Sequence, residues 1–359
     1  MFNPSRLTIA RKRRRLTGRE LAGFAGITPK HLSGIEKGKV ENVGDATITA
    51  LAKALSYPVA FFAGNDIDMP TKDTAAFRSL SAMSAKEREA ALSAGSLAHL
   101  LADWASERFN LPELDLIDID ARHGMSPEAS AKALRSYWGL GERPVSNVVK
   151  LLESKGIRIF SLAEDTKNVD AFSCWRNGVP YIFLNTFKTA ERSRFDAMHE
   201  LGHLVLHRHG KPQGRQAESE ADSFASYFLM PSMDLVANIP FVTSLKQLVQ
   251  AKKRWGVSVA ALAYRLHKAG KLSDWQYRNF CMRINKQFGQ SEPDGLPRER
   301  SIVWEKIFRE LWKERTTREQ VAKELCLPLE EVDGLVFNLS EANPSTGTRS
   351  VGAPQLRLA

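Results

Sequence analysis

The stretch that most constrains this chain is His199-Glu200-Leu201-Gly202-His203. If it is helical, its two histidines lie four residues apart and share one face of the helix. Two imidazoles can then meet one metal ion while Glu200 stands beside it, which is the H-E-x-x-H arrangement of zinc hydrolases. Zinc in such a site lowers the pKa of a bound water towards ~7, and a neighbouring glutamate can accept the proton. The stretch therefore predicts a helix that carries a catalytic Zn2+ site.

Two histidines alone do not hold zinc, so the chain must supply a third ligand. His207 lies a further two turns beyond His199, roughly 12 Å along a helix, whereas Zn–N bonds are about 2.1 Å long. In the next helical stretch, Glu218 and Asp222 share a face while Glu220 points elsewhere. We expect Glu218 to be the third ligand and Asp222 to accept a hydrogen bond from His199 and orient it. The alternatives are that Glu220 is the third ligand, or that Glu218 and Glu220 are only the solvated side of an amphipathic helix.

The surroundings of this motif resemble a known family. Its flanking segments are Arg194-Phe195-Asp196-Ala197-Met198, Leu206-His207, the E-x-E-A-D-x-F-A run from Glu218, and Leu229-Met230-Pro231. Together they resemble the ImmA/IrrE family of bacterial metallopeptidases, which is similar to gluzincins and whose characterised members cut repressor proteins in mobile elements or stress responses. The resemblance implies His199, His203 and Glu218 as metal ligands and Glu200 as the catalytic base. Asparagine is common in the family where this chain has Asp222, and an aspartate accepts a histidine N–H equally well.

The net charge of +10 is concentrated near the N-terminus. Residues 1–40 contain ten Lys and Arg against only Glu20 and Glu36. A basic patch of this density indicates a nucleic-acid partner.

The same region contains residues that typically begin and end short helices. Thr17 can cap one helix, Gly26 interrupts the chain, and Thr28-Pro29 can open the next helix, which Gly38 ends. A fourth helix is expected from a cap at Asp45 to Leu55. Two short helices joined by a tight turn form a helix-turn-helix, whose second helix enters the DNA major groove by its N-terminal residues. The expected core is Leu21, Ala22, Ala25, Ile27, Leu32 and Ile35.

Here too the chain resembles a known family, the XRE or lambda-repressor-like helix-turn-helix proteins. The segments that carry the resemblance are Leu21-Ala22, Gly26-Ile27-Thr28, the run from Leu32 to Gly38, and Leu51-Ala52-Lys53-Ala54-Leu55. The resemblance implies that a double-stranded DNA operator is bound by Arg19, Thr28, Pro29, Lys30, His31, Ser33, Lys37 and Lys39. Two positions depart from the family: Pro29 replaces a frequent glutamine, and Gly34 replaces a longer polar residue. One head covers a half-site, so a homodimer is expected.

The remaining chain contains helices and one group of strands. Ser84 to Phe109 is expected to be a helix that faces the core, bridges two domains or pairs across a dimer. Residues 156–162, 171–176 and 180–184 are expected to be strands, with Asn177-Gly178 as a hairpin turn. We expect strand 180–184 to be an edge strand that lines the cleft, the alternative being that the hairpin only covers the metal helix. Further helices are expected near 126–138, 144–155, 244–254 and 259–269, the last with Tyr264, Arg265 and His267 as candidate oxyanion donors.

These patterns predict a multidomain, mainly α protein. It has an all-α lambda-repressor-like helix-turn-helix head, an α+β gluzincin-like metallopeptidase domain with a small sheet, and a helical C-terminal region. The expected boundaries are 1–64 for the head, 65–120 for a linker and connecting helix, 121–284 for the peptidase domain, 285–340 for the C-terminal region and 341–359 for a disordered tail. The stretch 285–300 is expected to be a linker, and the following residues, with a capping box at Thr317 and Gln320, resemble another helix-turn-helix.

The location is expected to be cytoplasmic. The chain starts without an apolar run, contains no long uncharged apolar stretch, and is not expected to bind a membrane. Its three cysteines are far apart, which suits a reducing compartment.

Together these features favour a bacterial or prophage transcriptional regulator that binds DNA and carries a zinc-dependent endopeptidase. The expected substrate is a partner protein such as a repressor or antitoxin. The alternative is a non-proteolytic DNA-binding repressor or antitoxin whose peptidase-like domain serves as a sensor or partner-binding module.

Overall fold

The computed structural model describes residues 2–70, 84–118, 125–162, 171–185, 187–208, 214–289 and 291–336. Within them the protein is mainly helical, with one three-stranded sheet. The expected tail, 341–359, and residues 71–83 of the expected linker and connecting helix lie outside the described residues. No helix in the described ranges has the length and apolar character needed to cross a membrane.

The head contains α1 (Pro4–Arg13), α2 (Gly18–Phe24), α3 (Pro29–Glu36) and α4 (Asp45–Leu55), followed by a 3-10 turn at Val59–Ala63. The helices expected after Thr17, after Thr28 and up to Leu55 are thus present. Thr17 and Glu20 form a capping box at the start of α2, and the Thr28 side chain accepts from His31 N at the start of α3. The expected apolar core is buried, with Ile27 half-buried beside it. One detail was wrong, since Asp45 is the first residue of α4 and Gly44 is its N-cap.

A long helix, α5 (Ala85–Arg108), joins the head to the rest of the molecule. Ser84 and Glu87 form a capping box at its start. Leu97, Leu101 and Trp104 are buried in the same core as the head, so α5 faces the core, the first of the three roles that the sequence left open.

The three strands form one sheet of order β1-β3-β2, with β1 (Arg158–Leu162), β2 (Ala171–Arg176) and β3 (Val179–Asn185). β2 and β3 are an antiparallel hairpin whose turn residues Asn177 and Gly178 both have positive φ, as a type I′ turn requires. β1 pairs with β3 in parallel. The expectation that 180–184 is an edge strand was therefore wrong: β3 is central because the distant β1 covers its other side, and β2 is the edge strand beside the metal helix.

Each face of this sheet belongs to a different hydrophobic core, because successive side chains of a strand point to opposite faces. One face packs against α5 and the core of the head, and its residues are Phe160, Leu162, Phe172, Cys174, Tyr181 and Phe183. The other face packs in a second core, which includes residues of the two helices that carry His199, His203 and Glu218 (the metal helices). Its residues are Ile159, Ala171, Ile182 and Leu184.

The metal motif lies in the helical part that follows the sheet. Before the sheet come α6 (Pro127–Tyr137) and α7 (Val148–Ser154); after it come α8 (Ala190–Leu206), α9 (Gly214–Leu229), α10 (Ser232–Asn238), α11 (Leu245–Ala251), α12 (Val259–Lys268) and α13 (Asp274–Phe288). The helix expected near 144–155 is shorter, because α7 begins at Val148 with Asn147 as its cap.

The C-terminal region comprises α14 (Ile302–Lys313), α15 (Arg318–Glu324) and α16 (Leu329–Val336). Of the residues expected to form a linker, 285–300, those up to Phe288 belong to helix α13. Residues 291–300 form a strap, which is bound to residues of the region that contains the metal helices. In this strap, Glu299 accepts from the backbone N–H groups of Val148 and Val149 at 2.8 and 2.9 Å and pairs with the buried Arg194. Glu292 lies 3.2 Å from the buried Lys252.

Candidate metal centre

The two motif histidines lie one turn apart on α8, which begins at the cap Thr189. Their Nε2 atoms are 3.1 Å apart. Glu218 of α9 faces both, with carboxylate oxygens 3.2 Å from His199 Nε2 and 3.6 Å from His203 Nε2. In a tetrahedral zinc site with bonds near ~2.1 Å, neighbouring ligand atoms are separated by about 3.4 Å. The three side chains therefore have the spacing and the donor types that fit a zinc ion.

Gly202 allows α9 to approach closely enough to present Glu218. A Cβ atom at this position would lie 3.1 Å from Ala221 Cα and 3.2 Å from the ring of Phe224. Because α8 and α9 pack directly over this glycine, Glu218 reaches the histidines of the neighbouring helix. Any larger residue at 202 would separate the two helices and the ligands that they carry.

A hydrogen-bond partner holds the second nitrogen of each histidine. His199 Nδ1 lies 2.8 Å from Asp222 Oδ1, as expected from the sequence. His203 Nδ1 lies 3.0 Å from His207 Nδ1, and His207 Nε2 lies 3.0 Å from Glu220 Oε2. The sequence argument excluded His207 as a ligand and missed this supporting position; the signal was its spacing of four residues from His203, which places it over the same face.

Glu200 is buried beneath the ligands and contacts the sheet. The hydroxyl of Ser173, on β2, donates to Glu200 Oε2 at 2.6 Å. Burial raises the pKa of Glu200 to about 7, although His199 and the Ser173 bond act in the opposite direction. A carboxylate with a pKa near the working pH is suited to general-base catalysis. Ser173 was not predicted, because only the order of the strands brings it beside α8.

The charges of the ligand side chains favour a cation where the three ligand atoms meet. Burial alone would lower the pKa of His199, but its bonds to Asp222 and Glu218 outweigh this and raise it to about 10. Burial would raise the pKa of Glu218, yet the two histidines lower it to about 2. A bound divalent cation would supply the positive charge that these carboxylates stabilise.

The residues predicted to bind DNA lie around α3 of the head. All but Ser33, which is half-buried, are exposed: Arg19, Thr28, Pro29, Lys30, His31, Lys37 and Lys39. Thr28, Pro29, Lys30 and His31 lie at the N-terminal end of α3, the end that reads bases in helix-turn-helix proteins. Lys37 and Lys39 follow its C-terminal end, and Arg19 lies on α2.

The candidate oxyanion donors on α12 make their described contacts elsewhere. Arg265 is buried and donates to Met230 O and Ser232 Oγ. His267 stacks on Tyr277, against which Tyr264 also packs. Within the part of the chain that the structure describes, none of these contacts reaches the ligand cluster.

Comparison with protein families identifies both regions. Residues 7–62 match the helix-turn-helix family model, and residues 152–267 match the peptidase M78 model, described as the IrrE N-terminal-like domain. A comparison with curated proteins gave no match. The second match includes β1 to β3, the metal helices and most of α12. The chain is therefore a fusion of an XRE-type helix-turn-helix domain with a metallopeptidase-type domain of the ImmA/IrrE family.

Proposed function

We propose that this chain is a transcriptional regulator that binds operator DNA through its head and cleaves a partner protein in a zinc-dependent reaction. One observation carries the peptidase part of the proposal: the convergence of His199, His203 and Glu218 with Glu200 and Ser173 directly behind them. A pure binding module has no need of a carboxylate held beside a ligand set, whereas hydrolysis requires one.

Each side chain has a definite part in the proposed reaction. His199, His203 and Glu218 would hold the zinc ion, and Asp222 and His207 keep the two imidazoles in the orientation that ligation requires. When bound, zinc polarises a peptide carbonyl and acidifies the attacking water. Glu200 accepts the proton of that water and delivers it to the leaving amine. Ser173 fixes the carboxylate in place for both transfers.

The edge strand β2 is the proposed binding site for the substrate chain. It carries Ser173 and thus runs past the catalytic carboxylate, and in the described residues no other strand pairs with its outer side. An extended peptide can add to such an edge through main-chain hydrogen bonds. This favours an unfolded or loop segment of a protein as substrate, and a repressor or antitoxin is the partner that fits a DNA-bound protease.

For the head we propose specific contacts with an operator in the cytoplasm. Lys30, His31 and Ser33 meet base edges, while Arg19, Lys37 and Lys39 bind phosphates. A homodimer would place two heads on two half-sites, and sedimentation of the protein on DNA tests this directly. A complex with one chain per operator would contradict it.

The decisive experiment replaces Glu200 by Gln. The amide keeps the size of the side chain and can still accept from Ser173, but it cannot take a proton. We expect turnover of the partner protein to fall at least ~10²–10⁴-fold while zinc content and DNA affinity stay near those of the wild type. Ser173→Ala is the graded companion: it leaves the base in place but unheld, so its loss should be smaller.

The measurement compares fragments of candidate repressors and reporter transcription in the host that expresses each variant. If Glu200→Gln regulates like the wild type and no protein is cut in either strain, proteolysis is not the mechanism. The chain would then be a DNA-binding repressor or antitoxin with a sensory peptidase-like domain. A partner trapped uncut by Glu200→Gln would identify the substrate.

A further inference from the structure

The C-terminal helices repeat the backbone of the head. α15 (Arg318–Glu324) and α16 (Leu329–Val336) have the same lengths, seven and eight residues, as α2 and α3. Each begins 300 residues after its counterpart, and the preceding helices α1 and α14 end at Arg13 and Lys313, with the same displacement.

The turns between these helices are also the same. The residues before α2 and α15 include Arg15 at φ 56° and Arg315 at φ 59°, both left-handed. Within the two helix-turn-helix turns, Gly26 has φ 65° and Cys326 has φ 55°. A cysteine rarely adopts this conformation, so the surrounding packing must impose it.

Capping and backbone bonds also match as far as the turn. Both second helices start with a capping box, Thr17 with Glu20 and Thr317 with Gln320. The bond that closes the turn of the head, from Ile27 N to Ala22 O at 3.0 Å, has its equivalent in a bond of 2.8 Å from Leu327 N to Ala322 O. The third helices start differently, because Thr28 caps α3 whereas Pro328 precedes α16. Residues 302–336 are therefore a second helix-turn-helix by their helix lengths, their turn conformations and the bonds that close the turn.

The chemistry of the two recognition helices is opposite. Where the head has Lys30, His31 and Ser33 at the start of α3, the second unit has Glu330, Glu331 and Asp333 at the start of α16. Carboxylates at these positions repel DNA phosphates, so α16 does not suit DNA.

The acidic end of α16 instead contacts the basic end of α1. The Glu331 side chain is 2% exposed and accepts from Arg13 Nε at 2.8 Å and from the Tyr57 hydroxyl at 3.1 Å. Arg14 Nη1 lies 3.3 Å from the same carboxylate. The recognition helix of the second unit is thus bound through Glu331 to the head of its own chain.

The other side of the second unit is anchored to the peptidase region. The buried Glu153 of α7 accepts from the backbone N–H groups of Ile302 and Val303 at the start of α14. Trp304 Nε1 donates to Ile159 O on β1 at 3.3 Å. The unit therefore bridges the head and the sheet that lies over the metal helix.

We infer that residues 302–336 are a second helix-turn-helix that has the head of the same chain as its partner, with Arg13 and Arg14 bound by α16 in place of nucleic acid. It acts as a clamp that fixes the position of the DNA-binding head relative to the metal centre. Arg13 and Arg14 serve this clamp and are not phosphate contacts.

Hydrogen exchange of the full chain tests the clamp from both sides. Glu331→Gln should accelerate amide exchange in α1, and Arg13→Gln should accelerate it in α16, each at least tenfold, because each removes one partner of the buried ion pair between Arg13 and Glu331. The double variant should exchange no faster than the single variants, since both remove one contact. Glu330→Gln is the matched control: its side chain is 63% exposed, so the pair with Arg14 contributes little and exchange should stay at the wild-type rate. Wild-type exchange in the opposite helix for both single variants would overturn the clamp.

A second measurement uses the salt dependence of DNA binding and does not require the clamp to be broken. Lys37→Ala should reduce the slope of log affinity against log salt by about one ion, as the loss of a phosphate contact does. Arg13→Ala should leave the slope unchanged. An equal reduction for Arg13→Ala would mean that DNA displaces α16, and the inference would fail. This measurement rests on the proposed DNA binding of the head, whereas the exchange experiment does not, so a failure of one can be told from a failure of the other.

Discussion

His99 should make the stability of this protein depend on pH in a predictable way. It lies on α5, is 1% exposed, and packs on the ring of Tyr181 at 4.7 Å. Its Nδ1 lies 3.0 Å from the carbonyl oxygen of Asp68, which requires that Nδ1–H donates, and its Nε2 lies 3.9 Å from Cys174 Sγ. Burial lowers the pKa of His99 to about 4, although the Asp68 carbonyl favours the protonated form. The nearby charges act in both directions: Arg176 lowers this pKa, while Asp103 and Asp68 raise it.

The size of the effect follows from the difference between the pKa of His99 in the unfolded chain and its pKa in the folded protein. In the unfolded chain the histidine has a pKa of about 6.5. Between this value and the folded pKa, the unfolded chain binds a proton that the folded protein does not, so stability falls as pH falls through this window. The loss is about 2 kcal/mol at pH 5 and approaches roughly 3 kcal/mol below pH 4, at ~1.4 kcal/mol for each unit of pKa difference.

The assay is urea unfolding at about pH 7.5 and pH 5, for wild type and His99→Gln. Glutamine can still donate to Asp68 O but does not titrate, so the variant should lose about 2 kcal/mol less than the wild type on acidification. His31→Gln is the control, because His31 is exposed on α3, and it should follow the wild type. If His99→Gln loses as much stability as the wild type, His99 is not held neutral in the folded state.

Three further outcomes are expected. Purified wild-type protein should contain about one zinc per chain by atomic absorption, and Glu218→Ala should lose it while Glu220→Ala retains it; the reverse would show that the ligand was misplaced by two residues. Lys30→Ala should lower discrimination between operator and random duplex by ~1–3 kcal/mol in competition binding, and an equal loss on both duplexes would remove α3 as the recognition helix. Lys252→Met should destabilise the fold by about 3–5 kcal/mol in urea unfolding, because its side chain is 1% exposed and pairs with buried carboxylates. Lys253→Met, at 50% exposed, should cost less than about 1 kcal/mol, and similar costs for both lysines would refute the argument.

The local sequence pattern was sufficient to predict the features that depend only on residues close together in one helix. The spacing of His199 and His203, and of Glu218 and Asp222, fixes which side chains share a face whatever lies around them. The caps at Thr17, Thr28 and Thr317 are likewise local and are present where they were expected. These are the parts of the site and the fold that could be predicted.

Most of the features that the sequence did not predict depend on contacts between residues that are far apart in the chain. The hairpin alone leaves one side of β3 without a partner, and only the parallel strand β1, which precedes the hairpin in the chain, makes β3 central. The strap near Glu292 and Glu299 is polar enough to be mistaken for a linker, but its carboxylates are bound by Lys252 and Arg194, which come much earlier in the chain. Ser173 is an ordinary strand residue until the sheet places it against Glu200.

The sheet that both cores share determines how this molecule can be divided. A fragment with only the metal helices and the strands would keep one face of the sheet covered and leave the other bare. On that bare face Phe172 and Phe183 stack at 4.3 Å and Phe160 lies 6.0 Å from Phe183, a continuous aromatic surface of the kind that drives aggregation. Exchange of the head between proteins of this architecture by recombination would therefore have to include α5, because α5 covers these aromatic rings.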